Sequence, residues 1–383
     1  MRILKLLFCL LPLLSSCRED EYVTYMTDEN TGVPVEESDF AGLYILNEGN
    51  MGANRCTLDF LDLSGNDSTI HYYRNIYAER NPGTVKELGD VGNDIGIYGS
   101  KLWMVVNCSN KVEVCEAATA KCIGQVNIDN CRYLAFDNGF AYVSSYAGPV
   151  QVAENCSLGR VYKVDTLTLQ KVDSVVVGYQ PEEMAIVNGK LYVANSGGYR
   201  VPSYDNRVSV IDLETFQVVS EIEVDINMHR LQADRYGQIW VSTRGNYYDV
   251  KPALYCISNN EIAARLDLTV SAMTIVGDSL YYIGTSFNYA AGGNTKSFGI
   301  VDVKRCATVA TDIFDAPEIK SISLPYGIIV NPFDKSFYLM DAKNYVSSGE
   351  LLHFDANGHF LWRVATGDIP SRGAFLRKTE GGD

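Results

Sequence analysis

One short pattern recurs seven times along the chain, and few folds can satisfy it. Each copy is an apolar residue followed by an aromatic: Leu43-Tyr44, Leu102-Trp103, Ala141-Tyr142, Leu191-Tyr192, Ile239-Trp240, Leu280-Tyr281 and Phe337-Tyr338. The next position is apolar every time. Successive copies begin 39 to 59 residues apart, from 102 to 141 at the shortest and from 43 to 102 at the longest. That is the blade period of a β-propeller with loops of unequal length. Tight-turn residues precede the copies, as in Asp137-Asn138-Gly139, Asn188-Gly189-Lys190 and Gly277-Asp278-Ser279, and such turns join antiparallel strands. A third strand follows each copy and usually ends in an acid: Asp62, Glu116, Asp165, Asp212, Asp302, Asp355. The fifth copy departs, with Ser258 there. A carboxylate at a turn can accept its own backbone N–H two residues on, so these acids read as turn formers and not as catalysts.

Four strands per copy and seven copies predict an all-β chain, a seven-bladed β-propeller over residues 39–378. The first copy has no evident innermost strand ahead of it. Residues around Ala374 to Arg377 are expected to supply it from the C-terminus, closing the ring and leaving no open edge.

The fold prediction also orients the molecule. Loops between second and third strands are long and irregular (48–55, 147–159, 196–206, 245–252, 286–297, 342–349), whereas the other turns are short. Length and irregularity on one face mark it as the working face. Its loops and blade connections carry Tyr133, Tyr146, Tyr179, Tyr199, Tyr204, Tyr247, Tyr289, Tyr326 and Tyr345, interleaved with Asn47, Asn93, Asn195, Asn344, Arg230 and Arg244. Flat rings among amide and guanidinium donors suit a large ligand with a polar rim, and these fifteen residues are the candidate ligand contacts. Catalytic patterns are absent: there is no His-x-His, His-Glu-x-x-His or Gly-x-Ser-x-Gly. Of the four histidines only His229 falls near the working face, where it reads as a surface residue. Glu48 and Asp341 read as acceptors for loop hydrogen bonds, with Ca²⁺ ligation the alternative. A binding protein is expected, with no metal and no cofactor.

The chain opens Met1-Arg2-Ile3-Leu4-Lys5, runs apolar from Leu6 to Leu14, and reaches Leu14-Ser15-Ser16-Cys17. Two positive charges before a short apolar core make a secretory signal over 1–16, too short to span a bilayer. Leu, two small residues and Cys resemble the lipobox of bacterial lipoproteins, which implies lipidation at Cys17. The following Arg18-Glu19-Asp20-Glu21 resembles the acidic tag that carries Bacteroidetes lipoproteins to the outer face of the outer membrane. Residues 17–38 read as a lipidated flexible tether, with the lipid as the sole membrane anchor.

The net charge is −15, and loss of Arg2 and Lys5 with the signal brings it near −17. With no basic run, nucleic acid is an improbable partner. Eight cysteines remain beyond Cys9 and Cys17. Cys115 and Cys122 flank a predicted hairpin turn, as a disulfide or as free thiols.

Asn47-Glu48-Gly49-Asn50-Met51-Gly52, Leu88-Gly89-Asp90 and the run from Val106 to Val114 resemble the YncE-like propeller lipoproteins of Bacteroidetes, over essentially the whole mature chain. Within that group the chain is similar to the BtuG-type surface proteins. That resemblance implies a cell-surface protein that captures cobalamin or another corrinoid and passes it to a BtuB-like TonB-dependent outer-membrane transporter. The motifs mark the propeller family and not the corrinoid. Three alternatives remain at this stage: a glycan-binding protein of a polysaccharide uptake system, a metal-dependent propeller hydrolase or lactonase, and a protein-interaction platform. The residues ending the second strands (Asn47, Val106, Ser145, Asn195, Thr243, Gly284, Asp341) make a weak metal-ligand set, which speaks against the hydrolase.

Overall fold

The computed structural model describes residues 25–84, 87–288 and 293–378. Their strands form seven antiparallel sheets, six of four strands and one of five, arranged as the blades of a propeller. The signal, Cys17 and Tyr289 lie outside the described residues.

The repeated aromatic explains why the blades close on one another. In the second strand of blade 1, Phe40–Asn47, side chains alternate between two neighbours. Tyr44 and Leu46 share a core with Leu102 and Met104 of blade 2. Leu43 and Ile45 share one with Tyr338 and Met340 of blade 7. The same relation repeats around the ring. Trp103 joins the core of Ala141 and Val143, Tyr142 that of Leu191 and Val193, and Tyr192 that of Ile239 and Val241. Trp240 joins that of Leu280 and Tyr282, and Tyr281 that of Phe337 and Leu339. Each aromatic of the repeat is therefore a wedge between one blade and the next. Two also carry a hydroxyl bond across: Tyr44 donates to the carbonyl of Ala117 at 2.7 Å, and Tyr192 to Asn260 at 3.0 Å.

The C-terminal strand, Pro370–Arg377, is the innermost strand of blade 1 and pairs with Phe40–Asn47. Phe375 stacks on Phe40 with ring centroids 4.3 Å apart. Blade 1 is also tied to blade 7 at Asp59, which is fully buried. It accepts the Tyr72 hydroxyl, the Asn75 amide and the amide of Gly367 in the outer strand of blade 7.

The strand-ending acids behave as turn formers. Asp62 accepts the amide of Ser64, Asp165 those of Leu167 and Thr168, Asp212 those of Glu214 and Thr215, and Asp302 those of Lys304 and Arg305.

Two expectations change. Part of the expected tether, Thr27–Pro34, is a fifth, outermost strand of blade 1, antiparallel to Thr69–Arg74. It lacks an apolar alternation because it is mostly exposed and is held by backbone pairing. The expected loop 286–297 is largely an extension of a hairpin, with Ser279–Asn288 paired to Gly293–Asp302. All eight cysteines among the described residues are free thiols. Cys115 does stand opposite Cys122 across two strands, and Cys256 and Cys306 bring their sulfurs within 3.6 Å.

His353 stacks on Tyr338 at 4.2 Å and lies against Trp362, and neither ring nitrogen has a partner. Burial pushes its pKa down to about 4. The unfolded chain takes up this proton below the ordinary histidine pKa near 6.5 while the folded chain resists it, so stability falls as pH drops through that window. His353→Phe keeps the stack and removes the proton site. Between pH 6.5 and 5 the variant is expected to gain about 2 kcal/mol on the native protein, measured by urea unfolding at both pH values. An unchanged difference would contradict the burial argument.

Candidate ligand-binding site

The innermost strands all begin on the long-loop face, and six of the seven carry a β-bulge near that end. In blade 3, Cys131 pairs with Ser145 and Leu134 with Val143, so Arg132 and Tyr133 together oppose Ser144 alone. The same extra residue occurs in blades 1, 2, 4, 5 and 7. A bulge breaks the strict alternation of faces and re-aims side chains. Here it turns consecutive residues toward the axis: Arg132 with Tyr133, His229 with Arg230, Ser371 with Arg372.

These residues line a cavity of about 1240 Å³. Its walls are completed by Asn93, Ser271 and Tyr326 from other innermost strands or their approaches, and by Glu48, Arg244, Tyr247, Tyr248 and Tyr345 from the long loops. Tyr133 is its centre. Its ring has the guanidinium groups of Arg372, Arg132 and Arg230 at 5.3, 5.7 and 5.9 Å from the centroid, each within cation–π range. Its hydroxyl accepts from Arg230 at 3.3 Å and faces Nε2 of His229 at 3.5 Å. Burial, reinforced by the surrounding arginines, holds the His229 pKa well below its usual value. The ring is therefore neutral near pH 7 and adds no charge to the cavity.

Beneath this layer two of the arginines are neutralised. Arg132 donates to Glu182 at 3.1 Å, and Glu182 also accepts the Tyr146 hydroxyl at 2.6 Å. Burial works against the Glu182 charge, but Arg132 and Arg244 outweigh it and hold the carboxyl below its usual range. Arg372 of blade 1 reaches across the axis to Glu183 of blade 4 at 3.0 Å, with Asp94 of blade 2 at 3.9 Å. Burial raises the Asp94 pKa to about 6, against the pull of Arg372. Asp94 and Glu183 line a second cavity of about 360 Å³ among the innermost strands of blades 2 to 5. The ion pairs thus stand between the mouth and the channel below. Glu48 lines the same cavity, and burial raises its pKa against the pull of Tyr326, Arg132, Arg230 and Arg372.

Of the fifteen candidate contacts, Asn93, Tyr133, Arg230, Arg244, Tyr247, Tyr326 and Tyr345 line the cavity. The others do not. Asn47 and Asn195 are fully buried and bond within their own blades, to Thr57 and to Arg207 and Ser209. Tyr146 is a buried prop for Glu182, and Tyr199 meets its ring edge-on. Tyr179 lies under Arg200, with the guanidinium 3.6 Å from its ring. Tyr204 stands half-buried in the loop before blade 4's third strand, and Asn344 caps its own turn by accepting from Val346 and Ser347. His229, expected on the surface, is buried and faces the cavity. Arg132, Arg372, Glu182 and Glu183 escaped the sequence reading, because only the bulges and the closing strand bring them to the axis. Asp341 accepts the amides of Ser323, Leu324 and Lys343, as a loop acceptor does. Among the described residues no group of three or more His, Cys, Asp or Glu is placed to hold a metal ion.

Fold and site define a seven-bladed propeller with one large polar-aromatic cavity over its axis. The chain belongs to the family described as Domain of unknown function (DUF5074), whose profile matches residues 41–365. No curated protein matches the sequence. Solved structures share the fold at low identity. A hypothetical selenium-binding protein from Sulfolobus tokodaii is 11% identical, with a TM-score of 0.64 over 88% of this chain and 93% of its own. The hydrazine synthase of Kuenenia stuttgartiensis is 17% identical, at 0.58 over 73% and 88%. A quinonprotein alcohol dehydrogenase-like protein from Bacteroides thetaiotaomicron is 14% identical, at 0.57 over 89% and 79%.

Proposed function

We propose that this protein is a non-catalytic, cell-surface lipoprotein that captures a corrinoid such as cobalamin in the axial cavity and hands it to a TonB-dependent outer-membrane transporter. The observation that carries the reading is the cavity itself. At about 1240 Å³ it exceeds the range of ordinary small-molecule pockets. Its walls alternate Tyr rings with amide, guanidinium and hydroxyl donors. A corrin ring is broad and partly apolar and carries amide arms at its edge. Tyr247, Tyr326 and Tyr345 offer faces for the ring, and Asn93, Ser271 and the arginines offer partners for the arms. The resemblance of the 47–52, 88–90 and 106–114 segments to the BtuG-type lipoproteins supports the ligand class. The lipobox-like segment ending at Cys17 and the acidic run after it support the location. A lipid-tethered receptor would raise the ligand concentration over the transporter mouth.

The test is calorimetric titration of the purified mature chain with cyanocobalamin, with a panel of soluble oligosaccharides run in parallel. Saturable one-to-one binding of the corrinoid at micromolar concentration or below is expected. Binding of an oligosaccharide and not of the corrinoid would replace this reading with a glycan-binding one.

A further inference from the structure

The chain carries 47 acidic against 32 basic side chains, yet it gathers four arginines at one mouth. Arg132 and Arg372 have carboxylate partners. Arg230 is 93% buried, since only 7% of it is exposed, and bonds only neutral groups, the carbonyl of Ser271 at 2.9 Å and the hydroxyl of Tyr133. Arg244 lines the cavity, and among the described residues its guanidinium has no direct hydrogen bond; the charge that favours it is that of Glu182, which is itself bonded to Arg132. A guanidinium withdrawn from water with no directly bonded anion favours one that arrives. His229 adds no positive charge, and Glu48, which lines the same cavity and acts on Arg230, is the carboxylate that would compete with an incoming anion.

Resting on the ligand-capture reading of the same cavity, we infer that Arg230 and Arg244 form an anion subsite that grips one phosphate-like group of the ligand. A planar guanidinium presents paired donors to a tetrahedral oxyanion. Arg230 is held rigid by Ser271 and Tyr133, and Arg244 supplies the unengaged donors. For a corrinoid the group is the phosphodiester of the nucleotide loop. The cavity would then discriminate complete corrinoids from precursors that lack it.

Three probes separate the two claims: phenyl phosphate, cyanocobalamin, and dicyanocobinamide, which has the ring and amide arms but lacks the phosphodiester together with its ribose and base. Each is titrated calorimetrically into the native chain, Arg244→Gln and Glu48→Gln, with thermal unfolding confirming that the variants fold. The native chain is expected to bind phenyl phosphate and to prefer cyanocobalamin over dicyanocobinamide by roughly tenfold, the worth of one charge-assisted contact. Arg244→Gln should abolish phenyl phosphate binding and bring the two corrinoids to about the same affinity. Glu48→Gln should tighten phenyl phosphate, because it removes the competing carboxylate. If both corrinoids bind equally and Arg244→Gln changes neither, the anion subsite falls and the corrinoid reading stands. If phenyl phosphate binds in an Arg244-dependent way but no corrinoid binds, the subsite stands and the ligand assignment falls. If phenyl phosphate fails to bind at millimolar concentration, the subsite is overturned.

Discussion

A chain ending at residue 369 is expected to lose cooperative unfolding altogether. The cut removes Pro370–Arg377 and with it seven paired positions along Phe40–Asn47. It strips the Phe375–Phe40 stack and leaves the core shared by Leu43, Ile45 and Tyr338 open on its inner side. It also deletes Arg372, so Glu183 is left without its cross-axis partner. An exposed inner edge of this kind is a template for aggregation. The contrasting variant is a chain starting at residue 36, which lacks only the added outer strand Thr27–Pro34. That strand is mostly exposed, so its loss should cost a few degrees in melting temperature and leave a single cooperative transition. Circular dichroism melts of the two truncations settle the matter. A cooperative melt from the C-terminal truncation would show that closure by the last strand is dispensable.

The second large effect is expected at Glu182. Its carboxylate is buried and holds Arg132, Tyr146 and, at 3.4 Å, Ser196. Glu182→Gln leaves the Arg132 charge buried without compensation, at a cost of about 3 to 5 kcal/mol. It should also weaken ligand binding, because Arg132 and the Tyr133 ring beside it lose their anchor. A second substitution discriminates charge from shape. Arg132→Met on top of Glu182→Gln removes the orphaned charge, and apolar replacement of a buried ion pair is often neutral or better. The double variant is therefore expected to recover most of the lost stability while staying poor at binding. Denaturant unfolding of the four-member cycle measures the coupling directly. Simple additivity of the two single costs would mean that the pair is not coupled.

Much of the fold is legible in the chain because it depends on period-two alternation around a repeated aromatic. Tyr44, Trp103 and their counterparts announce the inter-blade wedges. Gly and Asn at the turns announce the hairpins, and the unpartnered first blade announces the closing strand. The long-loop face is legible for the same reason, as loop length is visible directly. What escapes a linear reading is the axis. Strict alternation aims only one of Arg132 and Tyr133 inward, whereas the bulge aims both. Arg372 and Glu183 meet across the channel although 189 residues separate them, and no local pattern encodes that. Tyr146 and Asn195 look like loop donors in sequence, but Tyr146 ends up bracing Glu182 of the next blade and Asn195 its own blade. The strand Thr27–Pro34 was hidden because its pairing is carried by the backbone, which leaves no apolar signature.

The most direct test is a crystal structure of the mature chain soaked with cyanocobalamin. The corrin ring should lie in the axial mouth against Tyr247, Tyr326 and Tyr345, with the phosphodiester within hydrogen-bond distance of Arg230 or Arg244. A ligand bound between blades or on the short-turn face, with the mouth left empty, would contradict the assignment of the axial cavity as the site.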